Sequence, residues 1–345
     1  MKYDRRSFLA FAGASSLVGA GRVGRLWGGN STQKPARLRA GNTLALVNPA
    51  GATAHRVDID ILVESMDALG VKVKLGDHVL SRYGYLAGTD EQRAADVMAQ
   101  YTDNSVDGIL AMRGGWGCAR ILPQLDFDLI SQNPKLLIGY SDVTALLLAV
   151  YAKTGLITFH GPLGLGPWNS FSVDYFKRVL FQGEAVTMSN PKKTGDNLTQ
   201  VADRIQTIHG GKARGRLLGG NLTVLSAIIG SDFLPEWEGA ILFLEDIEEA
   251  VYRIDRMLTQ LKLAGVLDRI AGFVFGKCTR CLPGQSYGSL TLEQVFEDHI
   301  APLRIPAWQG AMIGHVADKF TVPVGLEAEI DSDEGTIRML ESAVQ

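Results

Sequence analysis

Apolar and polar positions follow one another along this chain in two spacings, and their order predicts most of the architecture. The run Thr43-Leu44-Ala45-Leu46-Val47 stops at Asn48-Pro49-Ala50-Gly51, as a buried parallel strand ends in a turn. Val57, Ile59, Ile61, Leu62, Met66 and Leu69 then keep a helical spacing up to Gly70, and Val71 to Leu75 alternates as a strand. Thr89 and Gln92 form a capping box that opens a helix through Ala94, Val97 and Met98. Val106 to Met112 is the next apolar run and ends in Arg113-Gly114-Gly115-Trp116-Gly117. Leu136 to Tyr140 is another, ending in Ser141-Asp142 ahead of an apolar helix from Val143 to Tyr151. Strands alternating with helices predict a mostly parallel sheet whose ligand sites lie at the carboxyl ends of its strands, where the glycine run and Ser141 both fall.

The periodicity fades between 184 and 210, around Ser189-Asn190-Pro191-Lys192-Lys193, which predicts a crossover between domains over 186–210. Beyond it, Gly219-Gly220-Asn221 opens a helix with Leu222, Leu225 and Ile229, and Ala240 to Leu244 is a buried strand ended by Glu245-Asp246. Ile247, Val251, Ile254, Leu258 and Leu261 mark an amphipathic helix capped at Gly265. The fold class expected is α/β, with an N-terminal sheet domain over 42–185 and a smaller C-terminal α/β domain over 211–345. Residues 21–41, rich in Gly and Arg and without periodicity, read as a linker.

Composition narrows the function. The 345 residues are 46% hydrophobic and 21% charged, enough to bury two cores, and the formal charge of -3 with a pI near 6.1 argues against a nucleic-acid partner. Past the first two dozen residues no apolar run approaches the ~20 residues of a membrane span. At the N-terminus, Asp4-Arg5-Arg6-Ser7-Phe8-Leu9 precedes a weakly apolar stretch to Ala20, the build of a twin-arginine export signal over 1–20, so a periplasmic or extracellular location is expected. Cys278 and Cys281 stand as a C-x-x-C without a second pair or a histidine cluster, which predicts a local disulfide or two free thiols and no metal site.

Ser141 sits where a strand turns into a helix, the setting of a nucleophile elbow, although Gly139-Tyr140-Ser141-Asp142-Val143 lacks the second glycine of G-x-S-x-G. A serine there is equally at home as a helix N-cap, and the local pattern leaves both readings open. Cys118, after the glycine run, reads as a small buried residue opening the next helix, with a thiol nucleophile as the alternative.

Several ordered blocks carry a resemblance. Tyr85-Leu86-Ala87-Gly88-Thr89-Asp90-Glu91-Gln92-Arg93, the Arg113 to Gly117 run, Pro134 to Leu146, His160-Gly161-Pro162, Gly219-Gly220-Asn221-Leu222, Leu244-Glu245-Asp246 and Gly314-His315 together resemble the LD-carboxypeptidase, or muramoyltetrapeptide carboxypeptidase, family of serine peptidases. The resemblance runs from Asn42 to the C-terminal region. It implies a Rossmann- or flavodoxin-like first domain, an active site at the domain interface, no cofactor, a muropeptide substrate and a homodimer.

Carried over by motif, the resemblance implies a triad of Ser141 as nucleophile, His315 as general base and Glu245 as its orienter. A serine hydroxyl is a poor nucleophile until a neutral imidazole takes its proton, and the imidazolium then needs a carboxylate. Asp246 competes with Glu245, and His160 with His315. Gly115 and the amide of Asp142 are the expected oxyanion donors, with Arg113, Gly114 and Trp116 expected along the substrate. The reaction implied is release of terminal D-alanine from peptidoglycan tetrapeptides through an acyl-enzyme. Relatives of the microcin C self-immunity type share these blocks and cleave other amides, and a periplasmic binding protein without catalysis is the alternative from another class.

Overall fold

The structure, a computed structural model, describes residues 32–284 and 288–345. The expected export signal lies outside the described residues. In the first sheet, β1 (Thr43–Val47), β2 (Lys72–Leu75), β3 (Gly108–Ala111), β4 (Leu136–Gly139) and β5 (Thr158–His160) run parallel in the order β2-β1-β3-β4-β5. This is the flavodoxin-like order, and its order reverses between β1 and β3. The crossovers carry α1 (Arg56–Ala68), α2 (Asp90–Thr102), α3 (Cys118–Ile121) with α4 (Phe127–Gln132), and α5 (Thr144–Thr154). Thr89 and Gln92 make both hydrogen bonds of the capping box that starts α2.

After α6 (Ser170–Leu180), the chain builds a second, mixed sheet from β6 (Thr187–Ser189), β7 (Gln206–His209), β8 (Lys212–Asn221), β9 (Ile241–Ile247), β10 (Gly272–Thr279) and β11 (Ala307–Gln309). After β12 (Val322–Val324), β13 (Glu327–Asp331) and β14 (Thr336–Met339) complete it, in the order β6-β14-β13-β8-β9-β10-β11-β7. The central strands β8 to β11 are parallel, joined through α7 (Leu222–Ala227), α8 (Val251–Leu263) and α9 (Leu292–His299).

Three features depart from the sequence expectation. The segment read as a crossover supplies β6 and β7 at the two edges of the second sheet, which therefore has eight strands against six and is not the smaller one. Such three- and four-residue edge strands carry too little apolar pattern to be seen. Next, β12 leaves the C-terminal half and pairs antiparallel with β5, so the first sheet is completed by the end of the chain. Pro323 sits on that edge strand, where a missing N–H is tolerated. Last, the end of the presumed linker is packed: Leu38 is buried, its N–H donates to Leu180 O, and Arg37 N–H donates to Gln345 O.

Helix α5 is what joins the two sheets at the site. All its residues except Ala152 and Lys153 are buried, as a helix apolar on every face must be. At its N-terminus Thr144 Oγ1 accepts from the backbone N–H of Asn221, the last residue of β8 (3.0 Å). Because β8 pairs with β9 in a register that sets Asn221 beside Glu245, the helix that follows Ser141 is fastened next to the acid of the second sheet.

Candidate active site

Ser141 leaves β4 with φ 63, in the left-handed region that a side chain rarely adopts, and opens a single 3-10 turn, Ser141–Val143. Tyr140, not Ser141, is the residue flanking that turn, and no side chain caps it. The N-cap reading is therefore not realised. The hydroxyl lies instead 3.0 Å from His315 Nε2, a residue 174 positions later. A strained serine between strand and helix is the nucleophile-elbow arrangement, and the strain costs on the order of 1–3 kcal/mol, held in place by the packing around it.

The glycine run wraps over this serine. A Cβ on Gly114 would come within 2.8 Å of both Cβ and Oγ of Ser141 and 3.4 Å of the amide nitrogen of Asp142, so only glycine fits. Gly115 follows with φ 115. Two buried side chains fix the run. Asp142 is fully buried and its Oδ2 accepts from the N–H of Cys118 (2.7 Å). Burial pushes the Asp142 carboxyl up, against the hydrogen bond from Cys118. Arg93 donates from Nη1 to Pro49 O (2.6 Å) and Gly117 O (2.9 Å) and pairs with Asp90, tying the end of β1 to the end of the run.

The other side of the cleft belongs to the second sheet. Glu245 lies in β9, fully buried, and its Oε2 stands 2.7 Å from His315 Nδ1. Gly314 crosses so closely over this carboxylate that a Cβ there would be 2.1 Å from Oε2, and its φ of 97 turns the chain to present His315. Asn221 Nδ2 donates to Glu245 Oε1 (3.2 Å) and Asp246 Oδ1 (3.1 Å). Burial works to raise the Glu245 carboxyl, but the hydrogen bond and charge of His315, with His160 and Asn221, hold it below its usual value. Thr279 Oγ1 donates to the His315 carbonyl oxygen (2.8 Å), which fixes the backbone of that histidine.

The competitors do not take these places. Asp246 accepts from the Thr223 N–H and hydroxyl, and burial followed by the Glu245 charge raises it to about 6. His160 is buried with Nε2 4.0 Å from Glu245 Oε1, too far for a hydrogen bond, and burial lowers it to about 4, so it stays neutral. Tyr140 packs between the two imidazoles, 4.9 Å from that of His315 and 5.9 Å from that of His160 between ring centres. Ser141, His315 and Glu245 thus form one hydrogen-bonded chain across the two sheets.

This same chain of residues falls within two recognised domains. Residues 44–161 match the LD-carboxypeptidase N-terminal domain and residues 214–330 the LD-carboxypeptidase C-terminal domain. The chain belongs to the LD-carboxypeptidase family. Over 308 residues it is 37% identical to the probable murein peptide carboxypeptidase of Bacillus subtilis, covering 88% of this chain and 93% of that one. Among solved structures it resembles the microcin C7 self-immunity protein in complex with glutamyl sulfamoyl guanosine, with TM-score 0.82 and 28% identity over 90% of this chain and 99% of that one. It also resembles the muramoyltetrapeptide carboxypeptidase of Oxalobacter formigenes, with TM-score 0.74 and 28% identity over 86% and 98% of the two chains.

The remaining expected residues of this family member divide by position. Gly114 touches Ser141 directly, and Trp116 stands on the same run, 39% exposed. Arg113 turns outward and donates from Nη1 to Ala52 O, lining a cavity of about 450 Å³ with Asp58, Ile61 and Trp168. Cys118 is buried at the start of α3, and burial with the neighbouring Asp142 raises its thiol well above the usual value, which removes it as a nucleophile. Cys278 and Cys281 form a disulfide around Thr279. Among the described residues no cluster of three or more His, Cys, Asp or Glu is placed to hold a metal, and no helix is long and apolar enough to cross a membrane. Sequence reasoning missed Arg93, Asn221 and Thr279 as supports, although the first two stand inside blocks that carried the resemblance.

Proposed function

We propose that the protein is a serine-type LD-carboxypeptidase that releases the terminal D-alanine of peptidoglycan tetrapeptides. The observation that carries this reading is the unbroken hydrogen-bonded series from Ser141 Oγ through His315 to a buried Glu245. In the proposed reaction Ser141 Oγ attacks the carbonyl carbon of the L-configured residue while His315 Nε2 takes its proton. Glu245, held anionic, keeps the proton of Nδ1 facing itself and stabilises the imidazolium. The backbone N–H groups of Gly115 and Asp142 donate to the oxyanion, a contribution of about 3 kcal/mol per donor in serine hydrolases. The imidazolium then gives its proton to the leaving amine, and water attacks the acyl-enzyme with His315 again as base.

Incubation with a muropeptide tetrapeptide followed by mass spectrometry tests this directly: wild type releases one alanine, and Ser141→Ala loses about a million-fold in kcat. A wild type that binds the tetrapeptide tightly and releases nothing would make it a binding protein. The likeness to the microcin C7 self-immunity protein supports a second reading, cleavage of an aminoacyl amide on a nucleoside leaving group. The same assay with a glutamyl sulfamoyl nucleoside separates the two by their ratio of kcat/KM. The proposal includes export by the twin-arginine route, supported by Arg5-Arg6 and by a disulfide of the kind that persists in oxidising compartments. Cell fractionation checks it, since replacing both arginines with lysine should leave the enzyme in the cytoplasm.

A further inference from the structure

One largely buried cation beside this site makes no hydrogen bond and no ion pair with its side chain among the described residues. Lys319 follows the irregular segment that carries His315 and precedes β12. Its backbone is fixed: its N–H donates to Ser172 Oγ (3.1 Å), and Asn169 Nδ2 and Ser172 Oγ both donate to Ala317 O. The residue is only 2% exposed, yet among the described residues its ammonium makes no hydrogen bond and no ion pair. Its contact is the face of Tyr140, with Nζ 5.0 Å from the ring centre. That ring meets the His315 imidazole in a T-shaped contact, and Tyr140 is the residue bonded to Ser141. The ammonium therefore stands one aromatic ring away from the base.

Enclosing a charge without a counter-charge costs several kcal/mol, and a cation-π contact returns only about 1–2 of them. The carboxylate of Glu245 is already engaged by His315 and Asn221. A carboxypeptidase must recognise one anion that an endopeptidase never meets, the free α-carboxylate of the terminal residue. That group is two bonds from the amine that His315 has to protonate, so it lies close to Nε2 in any productive pose. Arg113, the cation expected for this task from the sequence, points outward to Ala52 O instead.

We propose that Lys319 is the anchor for the terminal α-carboxylate of the substrate and makes the site read chain ends. This rests on the functional reading above and names the part of the substrate that the site selects. The ammonium is also able to titrate: burial lowers it to about 8, with Glu245 and Asp318 opposing. The charged and titratable groups around it are Glu245 on β9, His160 on β5, Tyr140 at the end of β4, and Asp318 and His315 on its own segment. Above that value the free enzyme loses the cation, so kcat/KM for a substrate with a free carboxylate falls as pH rises through about 8. A substrate without the carboxylate does not share this loss.

The test pairs a tetrapeptide ending in D-alanine with the same peptide ending in D-alaninamide. Wild type is expected to prefer the acid, with the alkaline fall confined to it. Lys319→Met, which keeps the length and apolar stem, should raise KM for the acid by at least about thirtyfold with little change in kcat, leave the amide unchanged, and be partly rescued by Lys319→Arg. Equal losses on both peptides, or a wild type that cleaves both equally with one pH profile, would overturn the proposal and leave the peptidase standing. A wild type inert on both peptides overturns the functional reading and the anchor with it. The wild-type comparison requires no variant to fold.

Discussion

On the front side of the cleft, the Ser141 hydroxyl makes no hydrogen bond among the described residues other than the one to His315. Its place is set by backbone: a φ of 63, the end of β4, and a glycine run so close that a methyl group would collide with it. On the back side Glu245 and His315 are held by side-chain hydrogen bonds, Asn221 to Glu245, His315 to Glu245 and Thr279 to the His315 carbonyl. The difference follows from what each group must do. A nucleophile needs an exposed lone pair and few competing donors, so steric packing positions it best. A base that cycles between neutral and charged forms needs a fixed dipole and a buried counter-charge, which only a satisfied polar network supplies at tolerable cost.

The comparison breaks most severely on the network side. Glu245→Gln keeps the shape of the side chain but removes the charge that favours the imidazolium, and it lets an amide N–H face Nδ1, which turns the tautomer away from Ser141. A loss of about 10⁴ in kcat with KM nearly unchanged is expected, because the carboxylate acts on a charge present only after proton transfer. Asp246→Asn is the contrast, since Asp246 serves the backbone of α7 and not the imidazole. Its activity should fall less than tenfold. Its folded value of about 6 lies above the ordinary 3.8, so at neutral pH the charged form works against folding, and that penalty is relieved as pH falls from about 6 towards 3.8. Denaturation midpoints measured across that window should lose this slope in the asparagine variant.

The two sides were also unequally legible in the sequence. The front half announces itself, because strong apolar runs end at Gly114-Gly115 and at Ser141, and a parallel sheet places such ends together. The back half depends on contacts that no local pattern encodes. His315 lies on an irregular stretch with no periodicity, and only the ordered blocks of the family resemblance pointed to it. Lys319 gave no signal at all, since it is buried among residues distant in sequence, Tyr140 and Ser172 among them. Leu38 and Met188 of β6 were missed for the same reason, as lone apolar residues in polar surroundings buried by distant segments, whereas β7 was missed because it buries no residue at all.

The steric side yields to a smaller change. Gly114→Ala adds one methyl group 2.8 Å from Ser141 Cβ and Oγ, where flexible neighbours are lacking and the backbone must move. Displacing a nucleophile by about 1 Å costs on the order of 10²-fold, and disturbing the amide of Asp142 adds to that loss, so kcat/KM should fall about 10²- to 10³-fold. Overpacking should lower stability by about 1–3 kcal/mol, read as a shift of the denaturation midpoint at unchanged slope. If the alanine enzyme kept wild-type kinetics, the serine would have to be placed by something other than close packing, and the contrast between the two sides would fail. Combining Gly114→Ala with Glu245→Gln sharpens the point. Groups acting as one unit in catalysis are non-additive, so the double variant should be hardly worse than Glu245→Gln alone. Additive losses would mean that serine placement and base polarisation still contribute independently in the residual reaction.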